Sequence, residues 1–158
     1  TGYLDSEKYS LAASVIGDER RLISVISGFQ TKKARSNDSL KVISWALRNT
    51  NTYEIAKKEN PTFPFNVWLG KEEEVIGYLK EDLYVTINKN ELKDLKIFLN
   101  YDGPLKAPIL KDEKVGDLIV ETKETTKSYP VYASKKVKKI NFIKSLFISF
   151  NYMIWGDV

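Results

Sequence analysis

Hydrophobic positions along this 158-residue chain fall into three successive patterns. In the first, Leu11 to Ile16 and Leu22 to Ile26 are apolar runs joined by Gly17-Asp18-Glu19-Arg20. Apolar or small side chains occupy both faces of each run, which predicts a hairpin of central strands covered on both sides. Gly28 ends the second run, and Thr31 is a fitting N-cap for a helix through about Asn49. Leu40, Ile43 and Leu47, at i, i+3 and i+7, give that helix one apolar stripe. Asn49-Thr50-Asn51-Thr52 is expected to stop it.

Pro61 and Pro64 read as a linker, after which the period shortens to two. Val67–Leu69, Val75–Leu79, Leu83–Ile87, Leu95–Leu99, Leu105–Ile109, Val115–Val120 and Ser128–Ala133 are short runs of this second kind. Turn-forming clusters separate them: Asn88-Lys89-Asn90, Tyr101-Asp102-Gly103-Pro104 and Lys111-Asp112-Glu113-Lys114. Short strands at this spacing predict a small all-β sandwich or barrel. Trp45 and Trp68 are expected to be core aromatics.

The third pattern begins at Ile140. At 100° per residue, Phe142, Ile143, Leu146, Phe147, Phe150, Met153 and Ile154 share one face, with Asn141, Lys144, Ser145, Ser149 and Asn151 opposite. An amphipathic helix directly after a lysine cluster (Lys135, Lys136, Lys138, Lys139) is the pattern of an interfacial membrane helix. Partial burial of six or seven such side chains provides up to roughly 10 kcal/mol before ordering costs. Each lysine near anionic lipid adds about 1 kcal/mol. That is enough for reversible, peripheral attachment.

Composition then narrows the chemistry. An apolar fraction of 42% supports a real core and argues against global disorder. The chain holds neither cysteine nor histidine. Disulfides, thiolate nucleophiles, Ser-His-Asp catalysis and the usual nitrogen- and sulfur-ligated zinc sites are therefore excluded within it, and no metal or cofactor is expected. The net charge of +4 is local: six lysines and no acid lie between Lys127 and Gly156, leaving the remainder near −2. Arginines and aromatics mixed over a broad face are missing, so nucleic acid is not an expected partner.

Short motifs carry more. Thr1-Gly2-Tyr3 is followed by Tyr9-Ser10-Leu11-Ala12-Ala13-Ser14, Arg21-Leu22-Ile23-Ser24-Val25 and Trp45-Ala46-Leu47-Arg48. Further on come Val67-Trp68-Leu69-Gly70, Asp82-Leu83-Tyr84-Val85-Thr86-Ile87, Leu92-Lys93-Asp94-Leu95-Lys96, Ala107-Pro108 and Lys114-Val115-Gly116. In this order and spacing the chain resembles the low-molecular-mass penicillin-binding proteins, the serine-type D-alanyl-D-alanine carboxypeptidases, along nearly its whole length. Thr1-Gly2 resembles the last two residues of that family's Lys-Thr-Gly strand.

The resemblance implies a site. In the family a Ser-x-x-Lys serine attacks the D-Ala-D-Ala carbonyl of the peptidoglycan stem peptide, and Ser-x-Asn and Lys-Thr-Gly complete the machinery. Water then hydrolyses the acyl-enzyme. By position, Thr1 would offer its hydroxyl to the substrate's terminal carboxylate, and Gly2 would leave room for substrate beside the strand. The Tyr3 backbone N–H would be one of two oxyanion-hole donors. Arg35 falls where the family places an arginine that reads the same carboxylate, a task suited to a guanidinium fork. No Ser-x-x-Lys occurs in these residues, and Ser36-Asn37-Asp38 and Ser149-Phe150-Asn151 read as polar surface and coincidence.

The expected fold is thus an α+β remnant of the penicillin-binding/β-lactamase-like catalytic domain (residues 1–53: strand, hairpin, helix). An all-β sandwich domain (60–134) and a C-terminal amphipathic anchor (135–158) follow. The expected function is that of the C-terminal portion of a D-alanyl-D-alanine carboxypeptidase, inactive alone. It would work at the outer face of a bacterial cytoplasmic membrane, with stem peptides and β-lactams as ligands of the intact enzyme. The uncovered hairpin would be masked by another chain or drive self-association. The alternative is a non-catalytic, membrane-associated β module that binds a protein or cell-wall partner.

Overall fold

A computed structural model describes residues 1–6, 8–18, 20–141, 146 and 154. Up to residue 141 they form eleven strands, one α-helix and a short 3-10 helix (Lys89–Asp94), grouped into two compact units. The first comprises Thr1–Tyr53 and Val85–Lys93, and the second Glu54–Tyr84 with the chain from Asp94 onward.

In the first unit, β1 (Gly2–Leu4), β2 (Lys8–Gly17) and β3 (Arg20–Phe29) form an antiparallel sheet in that order. Asp18, at φ 51°, helps turn the chain between β2 and β3. The pairing steps from Tyr9–Phe29 to Leu11–Ile26, so β3 carries one residue more than β2. That bulge holds Gly28 at φ 86°, a backbone conformation that side chains disfavour. Helix α1 (Lys32–Asn49) starts where the sequence places it: Thr31 is the N-cap, and its Oγ1 accepts from the Ala34 N–H at 3.0 Å. Its far end is held by Arg20, whose guanidinium donates to the Thr50 carbonyl and to Thr50 Oγ1 at 2.9 Å.

Two expectations change here. The hairpin is covered on one face only. Leu11, Ala13, Val15, Leu22 and Ile26 are half-buried on the side that packs against α1, while Ile16, Ile23 and Val25 are about three-quarters exposed. The helix also presents a different stripe: Ser39 is buried and Ile43, Ala46 and Leu47 are half-buried, whereas Leu40 and Trp45 are exposed. Trp45 is therefore not a core aromatic. The wet side of α1 holds large apolar groups and its buried side a serine, so hydrophobicity alone misplaces the stripe.

Each of the seven expected runs overlaps a strand: β5 (Phe63–Trp68), β6 (Glu74–Tyr78), β7 (Leu83–Asn88), β8 (Lys96–Asn100), β9 (Leu105–Lys106), β10 (Lys114–Glu121) and β11 (Thr126–Ala133), with β5 starting well before the expected Val67 and ending short of Leu69. An eighth, β4 (Thr50–Ala56), continues directly from the helix and pairs with β7. The Asn-Thr stretch ends the helix by starting a strand. Pro64 lies within β5 rather than in a linker, at a register where β9 does not pair. Its missing N–H costs no hydrogen bond there.

The second unit is built on a six-stranded mixed sheet ordered β8-β10-β11-β6-β5-β9, antiparallel except for β5 with β9. β9 is shorter than expected. Pro108 has no N–H to donate, and Ile109 instead exchanges both backbone hydrogen bonds with Val137 at 2.9 Å. Phe65, Val75, Val131 and Ala133 are wholly buried, with Leu118 and Val137 almost so. The ring of Phe65 meets Tyr101 edge-on at 4.8 Å and lies between two glycines. A Cβ on Gly77 would come 2.7 Å from Phe65 Cε2, and one on Gly116 would come 2.9 Å from Cε1.

Candidate functional site

Strand β1 is an edge, with all three residues exposed. On its inner side Gly2 pairs with Ser10, Tyr3 with Tyr9 and Leu4 with Lys8. Gly2 has an immediate structural reason to lack a side chain, since a Cβ there would come 2.8 Å from Ser10 Oγ. The Tyr3 ring packs on Tyr9 at 4.8 Å and its hydroxyl donates to Asp5 Oδ1 at 3.0 Å. That hydrogen bond pushes the Tyr3 phenol above its ordinary pKa, with desolvation and Tyr9 adding to it.

Arg35 approaches from the first turn of α1. Its guanidinium carbon lies 5.8 Å from the centre of the Tyr9 ring, within cation–π range. Arg35 is half-buried and makes no ion pair among the described residues. Tyr9 therefore has Tyr3 on one side and Arg35 on another. Tyr3 and Arg35 thus meet at one aromatic ring, while Gly2 pairs with the next residue, Ser10. Tyr9 is the residue that sequence reasoning did not assign. A short hairpin turn over residues 5–7 would have set it opposite Tyr3 and so offered a signal.

The unpaired outer side of β1 can accept an extended chain as a further strand. The unpaired Arg35 cation can accept a carboxylate. Ser36 and Asn37 are exposed, Ser36 Oγ donates to its own helix at Lys32, and Asp38 pairs with Lys41 at 2.9 Å. No group of three or more metal-ligating side chains occurs among the described residues.

Of the tail residues expected to touch a membrane, Phe142, Ile143, Phe147 and Phe150 lie outside the described residues. Leu146 and Ile154 are helical and about half exposed. No helix of the described residues is long and apolar enough to cross a membrane.

Comparison with known proteins places similar sequences and folds beside this chain. Residues 51–139 match the family described as penicillin-binding protein 5, C-terminal domain. The D-alanyl-D-alanine carboxypeptidase DacA of Escherichia coli is 31% identical over 146 residues, which cover 90% of this chain and 36% of that protein. Penicillin-binding protein 5 from Haemophilus influenzae superposes with a TM-score of 0.71 at 25% identity, covering 87% of this chain and 41% of its own. The D-alanyl-D-alanine carboxypeptidase DacD from Francisella tularensis gives 0.66 at 27% identity, covering 88% and 35%. The chain thus spans little more than a third of the length of these relatives.

Proposed function

This chain belongs to the penicillin-binding protein 5 family, whose members compared above include D-alanyl-D-alanine carboxypeptidases, and from that premise we propose that it serves the same hydrolysis. In this reading residues 1–53 supply the substrate-carboxylate side of a serine carboxypeptidase site. Thr1 and Arg35 bind the terminal carboxylate of a peptidoglycan stem peptide, Gly2 lets that peptide lie beside β1, and the Tyr3 N–H stabilises the oxyanion. The nucleophilic serine and its lysine are not among these residues, since no Ser-x-x-Lys is present. The chain by itself therefore hydrolyses nothing, and β-lactams acylate only an enzyme that contains the serine.

One observation carries the proposal: an unpaired, half-buried arginine set beside an open edge strand through a shared tyrosine ring. A carboxylate-terminated peptide that adds to the edge matches both features. We place the site on the periplasmic side of a bacterial cytoplasmic membrane. There the β unit acts as a stalk, and the tail helix acts as a peripheral anchor through residues such as Leu146 and Ile154. The exposed face of the hairpin is where a further polypeptide, or a second copy, covers Ile23 and Val25.

The test is a chimaera in which these residues replace the matching segment of the Escherichia coli relative. It should release D-alanine from a pentapeptide ending in D-Ala-D-Ala. Arg35→Ala should lower kcat/KM by about 100-fold, roughly two charge-assisted hydrogen bonds, with an unchanged melting curve. A folded Arg35→Ala chimaera with full activity would refute the assignment.

A further inference from the structure

Within the second unit, a cavity of about 350 Å³ opens beside the junction of β6 and β11, lined by none of the residues assigned above. Its floor is apolar: Leu79 and Leu83 are both nearly fully buried. Tyr129 and Tyr132 form its walls, each half-buried. Three charged groups stand at the rim. Lys80 holds its ammonium 3.9 Å from the centre of the Tyr132 ring. The Asp82 carboxylate is fixed by the Lys58 N–H, which donates to Oδ1 at 2.7 Å, and Oδ2 has no hydrogen bond among the described residues. Neither Lys80 nor Glu81 has an ion-pair partner among the described residues.

We infer that this cavity is a binding site for a neutral saccharide chain. The volume falls within the usual range for small-molecule sites, about 300 to 1,000 Å³. The rim carries both signs of charge. An anion would face Glu81 and Asp82, and a cation would face Lys80. A zwitterion could satisfy both signs, but ion pairs at a wet rim contribute little, and a small zwitterion leaves the leucine floor unfilled. A pyranose meets all the demands at once. Its C–H face lies on the Tyr129 ring and over the leucines, while its hydroxyls donate to the carboxylates and accept from the ammonium. Tyr129 is suited to stacking because, unlike Tyr132, it has no cation above its ring among the described residues. A saccharide site on the β unit is independent of the carboxypeptidase reading and stands or falls separately from it.

The experiment is an NMR titration of the 158-residue chain with chitotriose and with cellotriose. The same concentrations of alanyl-alanine and of a proline-rich peptide are run in parallel. Binding by either sugar with a dissociation constant on the order of 1 mM is expected, with shifts confined to Leu79–Leu83 and Tyr129–Tyr132. Tyr129→Phe should keep that affinity and Tyr129→Ala should weaken it about tenfold. Glu81→Gln, at an exposed position that cannot unfold the sheet, should weaken it by a smaller factor. No sugar-induced shift at these residues overturns the inference, as does equal affinity for the dipeptide or the proline-rich peptide.

Discussion

Replacing Gly77 by alanine adds one methyl group at a place where the second unit has no room for it. The new Cβ would lie 2.5 Å from Val131 Cγ1 and 2.7 Å from Phe65 Cε2, against an ordinary carbon–carbon contact of about 3.5 to 4.0 Å. Both neighbours must give way, each by about 1 Å. Val131 is wholly buried, and Phe65 cannot retreat because Gly116 and Tyr101 close its other side. Overpacking of this kind costs about 1 to 3 kcal/mol. Loss of glycine's flexibility in the unfolded chain returns roughly 0.5 kcal/mol. The net destabilisation is then about 1.5 kcal/mol, a fall in Tm of about 6 to 12 °C for a unit of this size. Urea unfolding followed by circular dichroism measures it. Shrinking the ring should relieve the clash, so Gly77→Ala and Phe65→Leu together should cost less than the sum of the two alone. A Gly77→Ala change below about 0.5 kcal/mol, or strict additivity with Phe65→Leu, would refute the packing argument.

Three further predictions concern other parts of the chain. Arg20→Met should destabilise the first unit by about 1 to 2 kcal/mol, because partly exposed charge-assisted bonds to the Thr50 carbonyl and hydroxyl are lost; a shift below about 0.5 kcal/mol in denaturant melts would rule this out. The Tyr78 hydroxyl donates to Asp112 Oδ1 at 2.7 Å, and that bond, with desolvation and the Asp112 charge, pushes its pKa up to about 12. Because the folded value is raised, this contribution is complete below the unfolded value of about 10 and disappears as pH climbs toward 12. Tyr78→Phe should flatten that part of a stability–pH profile, and an unchanged slope between pH 10 and 12 would count against it. Ile23→Lys with Val25→Lys should suppress concentration-dependent association in light scattering without lowering Tm, since both side chains are solvent-facing opposite Ser14 and Ala12. Wild-type chain that stays monodisperse at high concentration would show that this face attracts no second copy.

Local chemistry made much of this protein legible in its sequence. Thr31 caps the helix because a hydroxyl three residues ahead of an N–H needs nothing from the rest of the fold. Period-two runs between turn clusters located seven strands for the same reason. The strand β4 escaped although Thr, Tyr and Ile favour sheets, because its Asn-Thr start reads as a helix stop and its partner β7 lies about 30 residues further on. Tertiary structure alone decided the order of the six-stranded sheet, its one parallel pairing and the placing of Phe65 between Gly77 and Gly116. It also set which side of α1 is buried, choosing Ser39 over Leu40 because the sheet, rather than the helix, fixes the contact face. The candidate site divides the same way. Residue types at positions 1–3 and 35 pointed to carboxylate recognition, while the meeting of Tyr3 and Arg35 at Tyr9 depends on a hairpin register and a helix packed across it. Those are contacts between residues distant in sequence, and one strand or helix read alone cannot specify its partner.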